Sequence, residues 1–267
     1  MQLLIITTMK PMIGSFVIEQ TNSVLSWTKL RIRPKIIVFG DDEGVPEFCA
    51  KHNIQNEKDI PKTVEGVPFI NEIIRYGYTL MDNGCEYIMY LHSDILLMDD
   101  FCDTFEAFCR DYPNVRKCLL TSIRYDVERY NAIDYNNENW REVVRREWGG
   151  KYSSPTAIDL FLHKRNNYID MPEFIIGKYW FDPWMIDYAI KNFEITIDMT
   201  KTVKIYHHFG KWYQHNKIVE RDEKNIDGKL KGHNFKLFEN AGCRYKVITD
   251  CKYYTDYNGG CIRFIRK

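Results

Sequence analysis

Apolar residues come in short runs bounded by polar or glycine positions. Residues 3–6 (Leu3, Leu4, Ile5, Ile6) and 36–39 (Ile36, Ile37, Val38, Phe39) read as strands buried on both faces. Between them Phe16, Val17, Val24, Leu25 and Trp27 recur at helical spacing over 16–30. This β-α-β opening predicts a parallel sheet covered by helices. Further helices are expected over 46–52, 69–81, 101–109 and 184–191, and strands over 87–91, 117–123, 158–162, 195–197 and 203–206. The charged stretch 136–148 reads as a surface helix and a candidate lid ending at Gly149-Gly150. From Gln214 the pattern weakens. Charges crowd 220–231 as on a solvated helix face, and the end, with Tyr253, Tyr254, Tyr257 and Gly259-Gly260, carries no assignable pattern.

The length of 267 residues, 45% of them hydrophobic, suffices for one sizeable core. No repeat or low-complexity linker interrupts it. The expected organisation is one domain over 1–267, with a nucleotide-binding half (1–100), an acceptor-binding half (101–213) and a C-terminal extension (214–267). Lys plus Arg and Asp plus Glu both number 37, so there is no basic excess for nucleic acid or for an anionic membrane. The apolar run at the N-terminus is too short for a signal peptide or a membrane span. The 8 cysteines show neither CxxC pairs nor zinc spacing, which suits reduced thiols in a cytoplasmic protein.

Several polar groups fall just past buried strands, where open α/β sheets bind ligands. They are Thr7, Thr8 and Lys10 after the first strand, Asp41 and Asp42 after the second, and His92, Ser93 and Asp94 after the 87–91 strand. Each alone fits an ordinary turn or cap. Together they suit a nucleotide whose diphosphate needs a divalent cation, Mn²⁺ or Mg²⁺. His207 and His208 end a late strand, and neutral imidazole is a good ligand for such metals. Asp182 lies among Trp180, Phe181 and Trp184. The rings would exclude water, raise the carboxyl toward a useful base and offer stacking surfaces to an acceptor sugar. The competing reading makes Asp182 a helix cap with Pro183 in the first turn.

In order and spacing these segments resemble the GT-A glycosyltransferases, and within them a group found in bacteria, plants and large algal viruses. The likeness runs over residues 3–213. It rests on Ile5-Ile6-Thr7-Thr8, Ser26-Trp27, the run from Ile37 to Val45, and His92-Ser93-Asp94-Ile95-Leu96-Leu97 at the place of a variant DXD motif. It continues through Arg124-Tyr125-Asp126, Thr156-Ala157-Ile158-Asp159-Leu160-Phe161, Phe181-Asp182-Pro183-Trp184 and the histidine-bearing strand end. The resemblance implies a GT-A-like α/β fold, Rossmann-like, with a mostly parallel central sheet flanked by helices. It implies transfer of a hexosyl or pentosyl group, with inversion, from a nucleotide sugar, UDP-linked, to a glycan or glycoprotein. Asp94 with His207 or His208 would hold the metal. Thr8 and Asp41 would hold the nucleoside, Arg124, Asp126, Trp180 and Trp184 the acceptor, and Asp182, with Asp159 as competitor, would be the base. His92 departs from the motif by replacing its first polar position. A nucleotidyltransferase is the rival enzyme, although residues 7–14 hold one glycine and one lysine rather than a glycine-rich basic loop. A non-catalytic carbohydrate- or sugar-nucleotide-binding protein is the rival outside catalysis.

Overall fold

The computed structural model describes residues 2–128, 131–208 and 221–267, the last without the side chains of 221–225. Residues 214–220, where the apolar pattern weakens, lie outside them. The chain runs β1 (Gln2–Thr8), α1 (Ser15–Thr28), β2 (Lys35–Phe39), α2 (Val45–His52), β3 (Gln55–Glu57), α3 (Ile70–Leu80), β4 (Cys85–Leu91), β5 (Ile95–Leu96) and α4 (Asp99–Asp111). It continues β6 (Cys118–Thr121), β7 (Arg124–Val127), α5 (Trp140–Glu147), β8 (Gly150–Tyr152), β9 (Leu160–Lys164), α6 (Phe181–Asn192), β10 (Ile195–Asp198) and β11 (Ile205–His208). After it come α7 (Arg221–Asn240), β12 (Tyr253–Asn258) and β13 (Cys261–Arg266).

A 9-stranded sheet, ordered β13-β12-β10-β6-β9-β4-β1-β2-β3, forms the centre. It is mostly parallel; β9 runs against β4 and β6, and β13 against β12. Alternation along β1 explains why residues 3–6 are apolar on both faces. Leu3 and Ile5 face a layer with Trp27 of α1 and Phe101 and Phe105 of α4. Leu4 and Ile6 face the other layer, with Ile70 and Ile74 of α3 and Trp184 of α6. The expected mostly parallel α/β fold is therefore present. Among the described residues no helix is long and apolar enough to cross a membrane, and the cysteines are free.

A second, 4-stranded sheet, β5-β11-β7-β8, stands at the edge where β1, β2 and β4 end. The 136–148 stretch shortens to α5. Trp140, Val144 and Trp148 are buried with Leu96, Met98, Val127 and Tyr206, so the helix covers the small sheet and its apolar side is fully engaged. The stretch that carried no pattern is a hairpin. Gly259 and Gly260 have φ of 57° and 78°, the two positive values that a tight two-residue turn demands. Its strand β12 pairs parallel with β10, so the C-terminal extension completes the main sheet.

Gly150 marks a tight contact between β7 and β8. A Cβ there would stand 2.0 Å from the Asp126 carbonyl oxygen and 3.1 Å from the Tyr125 ring, whereas one at Gly149 would meet nothing within 4 Å. Gly150→Ala should cost about 1–3 kcal/mol in denaturant unfolding through overpacking, and Gly149→Ala no more than about 0.5 kcal/mol. Equal midpoints for the two variants would contradict the pairing of β7 with β8.

Candidate functional site

Parallel strands deliver their C-terminal ends to one edge. β1 brings Thr7 and Thr8 there, β2 the Asp41-Asp42 turn and β4 the His92-Ser93-Asp94 turn. Because β9 is antiparallel to β4, its beginning lies at the same edge. Asp159, just before it, accepts the His92 backbone N–H on its carbonyl at 3.0 Å. The small sheet supplies the remainder. In β11, His207 pairs with Ile95 on one side and Asp126 on the other, which sets it beside Asp94.

These residues form one charged network. His92 Nδ1 lies 3.1 Å from Asp159 Oδ1, and the Arg124 guanidinium lies 3.1 Å from both Asp159 Oδ2 and Asp126 Oδ1. Asp126 Oδ1 accepts from His207 Nδ1 at 2.9 Å, and His207 Nε2 faces Asp94 Oδ2 at 3.9 Å. Burial opposes every charge here, and the partners reverse its effect. It would raise Asp159, but His92 and Arg124 hold it well below the usual carboxylate range. It would lower His92, but Asp159, with Asp94 and Asp182 beyond, lifts it to about 9. It would raise Asp126, which His207 and Arg124 keep low.

Asp182 behaves differently. Burial pushes its carboxyl up to about 8, with Asp159 adding to the shift and His92 and Arg124 opposing it. The helix-cap reading does not hold, because α6 begins at Phe181 with Trp180 at the cap position and no side-chain cap bond. Among the described residues Asp182 Oδ1 is buried without a partner, as are Asp94 Oδ1 and His92 Nε2. Such buried polar atoms call for an explanation, and a bound ligand, ion or water is one. Trp180 holds φ at 90°, costly for a bulky residue. It is braced by the Phe235 and Phe238 rings of α7, at 4.8 and 5.3 Å. Asn234 of the same helix donates to the carbonyls of Ile175, Lys178 and Tyr179 at 2.9, 2.6 and 3.0 Å. The C-terminal segment thus holds Asp182 in place.

Other expected residues are placed as follows. Asp41 is exposed and paired with Lys62 at 2.5 Å, Asp42 and Lys10 are exposed, and the Lys10 ammonium sits over the Phe16 ring. Thr7 is buried and Thr8 half-buried; Ser93 donates to Gln20 Oε1 at 2.9 Å. His208 lies on the opposite face of β11 from His207, with Nδ1 2.9 Å from Glu19 Oε1. Trp184 is 2% exposed and packed on Phe174 and Tyr188, which corrects its reading as a stacking platform for a sugar. Arg124 and Asp126 belong to the charged network rather than to an open acceptor surface. Glu19 and Gln20 of α1 join the site although no motif in the sequence singles them out. The available signal is a run of polar residues, Gln20, Ser23 and Ser26, on the side of α1 that faces the protein, where all three are buried.

Asp94 and His207 suit a divalent cation. The Asp126 carboxylate takes the Nδ1 proton of His207 as a hydrogen bond and so leaves the Nε2 lone pair toward Asp94, the arrangement usual behind metal-bound histidine. Among the described residues no three His, Cys, Asp or Glu side chains gather as a closed metal site. Two protein ligands accord with a cation that takes its other ligands from phosphate and water.

No protein-family model matches the chain, and a search of curated proteins finds no match. Solved structures do resemble it. S. aureus TarS 1-349 aligns at a TM-score of 0.52 and 10% identity, covering 100% of this chain and 97% of that one. TarS 1-349 in complex with UDP-GlcNAc aligns at 0.53 and 11% identity, covering 90% and 71%. A longer TarS structure aligns at 0.51 and 12%, covering 90% of this chain and 43% of that one. The chain shares the fold of these structures, a GT-A-like α/β fold.

Removing Arg124 would leave Asp159 with His92 and Asp126 with His207 as their remaining partners. Arg124→Met should cost about 3 kcal/mol, the lower end for losing one partner of a buried pair, because Arg124 keeps 24% of its side-chain surface. The stabilisation from the two depressed carboxyls is present above the ordinary carboxylate range and lost as pH falls through their folded values. In the variant that loss should begin at higher pH. Unchanged unfolding at neutral pH would show that the network does not hold the site.

Proposed function

We propose that the chain is a glycosyltransferase moving a hexosyl or pentosyl group from a UDP-linked donor to a hydroxyl of a glycan or glycoprotein, with inversion. The observation that carries this reading is the convergence of buried, unpartnered Asp94 Oδ1, His92 Nε2 and Asp182 Oδ1 where the strands end. The GT-A-like fold agrees with it, and a TarS structure of that fold holds UDP-GlcNAc.

Thr8 and the Asp41-Asp42 turn would flank the nucleoside, and the His92-Ser93-Asp94 turn would face the diphosphate. Mn²⁺ or Mg²⁺, held by Asp94 and His207, would neutralise that diphosphate as it becomes the leaving group. Asp182 takes the proton of the acceptor hydroxyl. The hydroxyl oxygen bonds to the anomeric carbon as the bond from that carbon to phosphate breaks, and the configuration inverts in one displacement. Asp159, the competing base, is bound by two cations and is a poor proton acceptor.

Three outcomes follow. A panel of nucleotide sugars with Mn²⁺ should include one that raises the unfolding temperature, by about 2.7 kcal/mol of added stability at 100-fold its dissociation constant. A panel in which nothing binds would refute the donor assignment. The base must be ionised and its pKa is about 8, so turnover at saturating donor should climb as pH rises through about 8. Asp182→Asn should lower turnover by roughly 10²- to 10⁴-fold and flatten that profile while donor affinity holds. Near-normal turnover in Asp182→Asn with none in Asp159→Asn would reverse the two roles. Finally, His207→Ala should weaken the Mn²⁺ response by roughly 10- to 100-fold, and His208→Ala far less. Equal responses in the two variants would remove His207 from the site.

A further inference from the structure

Helix α1 carries a polar inner stripe where a helix against a sheet usually carries apolar residues. Its partners are spaced along the segment that ends β4 and begins β5. Ser93 Oγ donates to Gln20 Oε1 at 2.9 Å, the Trp27 indole N–H donates to the Ile95 carbonyl at 2.8 Å, and the Leu97 N–H donates to Ser26 Oγ at 3.1 Å. The helix lies along this segment and fixes its height at the sheet edge.

Gln20 also grips a second loop. Its Oε1 accepts the Lys10 N–H at 2.7 Å, and its Nε2 donates to the Lys10 carbonyl at 2.9 Å and to Met12 Sδ at 3.3 Å. The side chain is 1% exposed, so it belongs to the scaffold and touches nothing outside. The linkage continues one loop further. The Met12 N–H donates to the Glu43 carbonyl at 2.7 Å, and a Cβ on Gly44 would meet Met12 Cβ at 2.8 Å. Turns 8–12, 40–45 and 92–94 are thereby joined, and Gln20 makes the join between the first and the last.

We propose that Gln20 is a positioning residue that sets the spacing between the nucleoside turns and the diphosphate-facing loop, so that the site selects a nucleoside diphosphate over a nucleoside alone. This rests on the donor reading above. A nucleoside needs only the turns after β1 and β2. A nucleoside diphosphate must reach the loop at 92–94 as well, and gains affinity only if that loop stands at the right distance. An amide suits this position because one oxygen accepts from two loops while its nitrogen donates to a backbone carbonyl. Glutamate would lose the donor, and methionine both functions.

Equilibrium binding of uridine and of UDP, each with Mn²⁺, tests this on wild type, Gln20→Met, Ser93→Ala and Ser26→Ala. Gln20→Met should weaken UDP on the order of tenfold, the size of one coupled contact, and uridine hardly at all. Ser93→Ala cuts the link between the loops from the side of the 92–94 turn and should shift the same ratio without threatening the fold, and its non-additivity with Gln20→Met separates the link from any direct contact of Ser93 with the diphosphate. Their double variant should be no worse than the stronger single one. Ser26→Ala removes a bond to the same segment and should lower the unfolding temperature while leaving the UDP-to-uridine ratio unchanged. A ratio unaltered in both Gln20→Met and Ser93→Ala would overturn the proposal, as would a ratio altered equally by Ser26→Ala. If wild type binds neither ligand, the donor reading fails and the spacing role fails with it.

Discussion

The Arg124 guanidinium, placed between Asp159 and Asp126, is the contact on which the site depends. Each carboxylate also orients an imidazole, since Asp159 fixes His92 and Asp126 fixes His207. Arg124 thus joins two carboxylates, each of which it shares with a histidine, and one of those histidines, His207, faces Asp94 at 3.9 Å. Such a network adds little net stability, since desolvating its charges costs about as much as their pairing returns. Its benefit is geometric. It spans the main sheet at Asp159 and the small sheet at Asp126, and holds their junction in one arrangement.

Asp182 complements this rigidity by being left incomplete. Every other carboxylate of the network has a cationic or histidine neighbour within 4 Å, and none of the described residues makes such a contact with Asp182. Burial without a partner raises its pKa, and that is the property a base near neutral pH requires. The consequence shows in its surroundings. Trp180 is forced to positive φ beside it, and α7 commits Asn234 and two phenylalanines to holding the turn. Positive φ at Trp180 and the unsatisfied Asp182 Oδ1 occur two residues apart, and local rules are commonly broken in this way at functional sites.

Much of this is legible in the sequence, for identifiable reasons. Buried parallel strands are apolar on both faces, so β1, β2 and β4 declare themselves, and the polar residues that follow them fall at the binding edge by topology alone. His207 and His208 are indistinguishable as neighbours in sequence; strand alternation and the register of β11 against β7 separate them. The capping reading of Asp182 fails because the helix starts two residues earlier than Pro183 suggests. The acceptor role of Arg124 rests on the resemblance alone, and its pairing with Asp159, 35 residues away, leaves no local periodicity to read. Gln20 is hidden for a related reason. A polar residue on a helix is ordinarily assigned to solvent, and only the packing of α1 along the 93–97 segment turns it inward. The terminal hairpin carries a turn signal at Gly259-Gly260, but its strands are half-polar, as befits a sheet edge.

The most direct test of the central claim is an anomalous-scattering map from crystals of the protein grown with Mn²⁺ and UDP. The account predicts one manganese peak bonded to Asp94 and to His207 Nε2, with the diphosphate on it and the uridine over the turns that follow β1 and β2. A nucleotide bound elsewhere, or a diphosphate at the strand ends with manganese away from both residues, would contradict it.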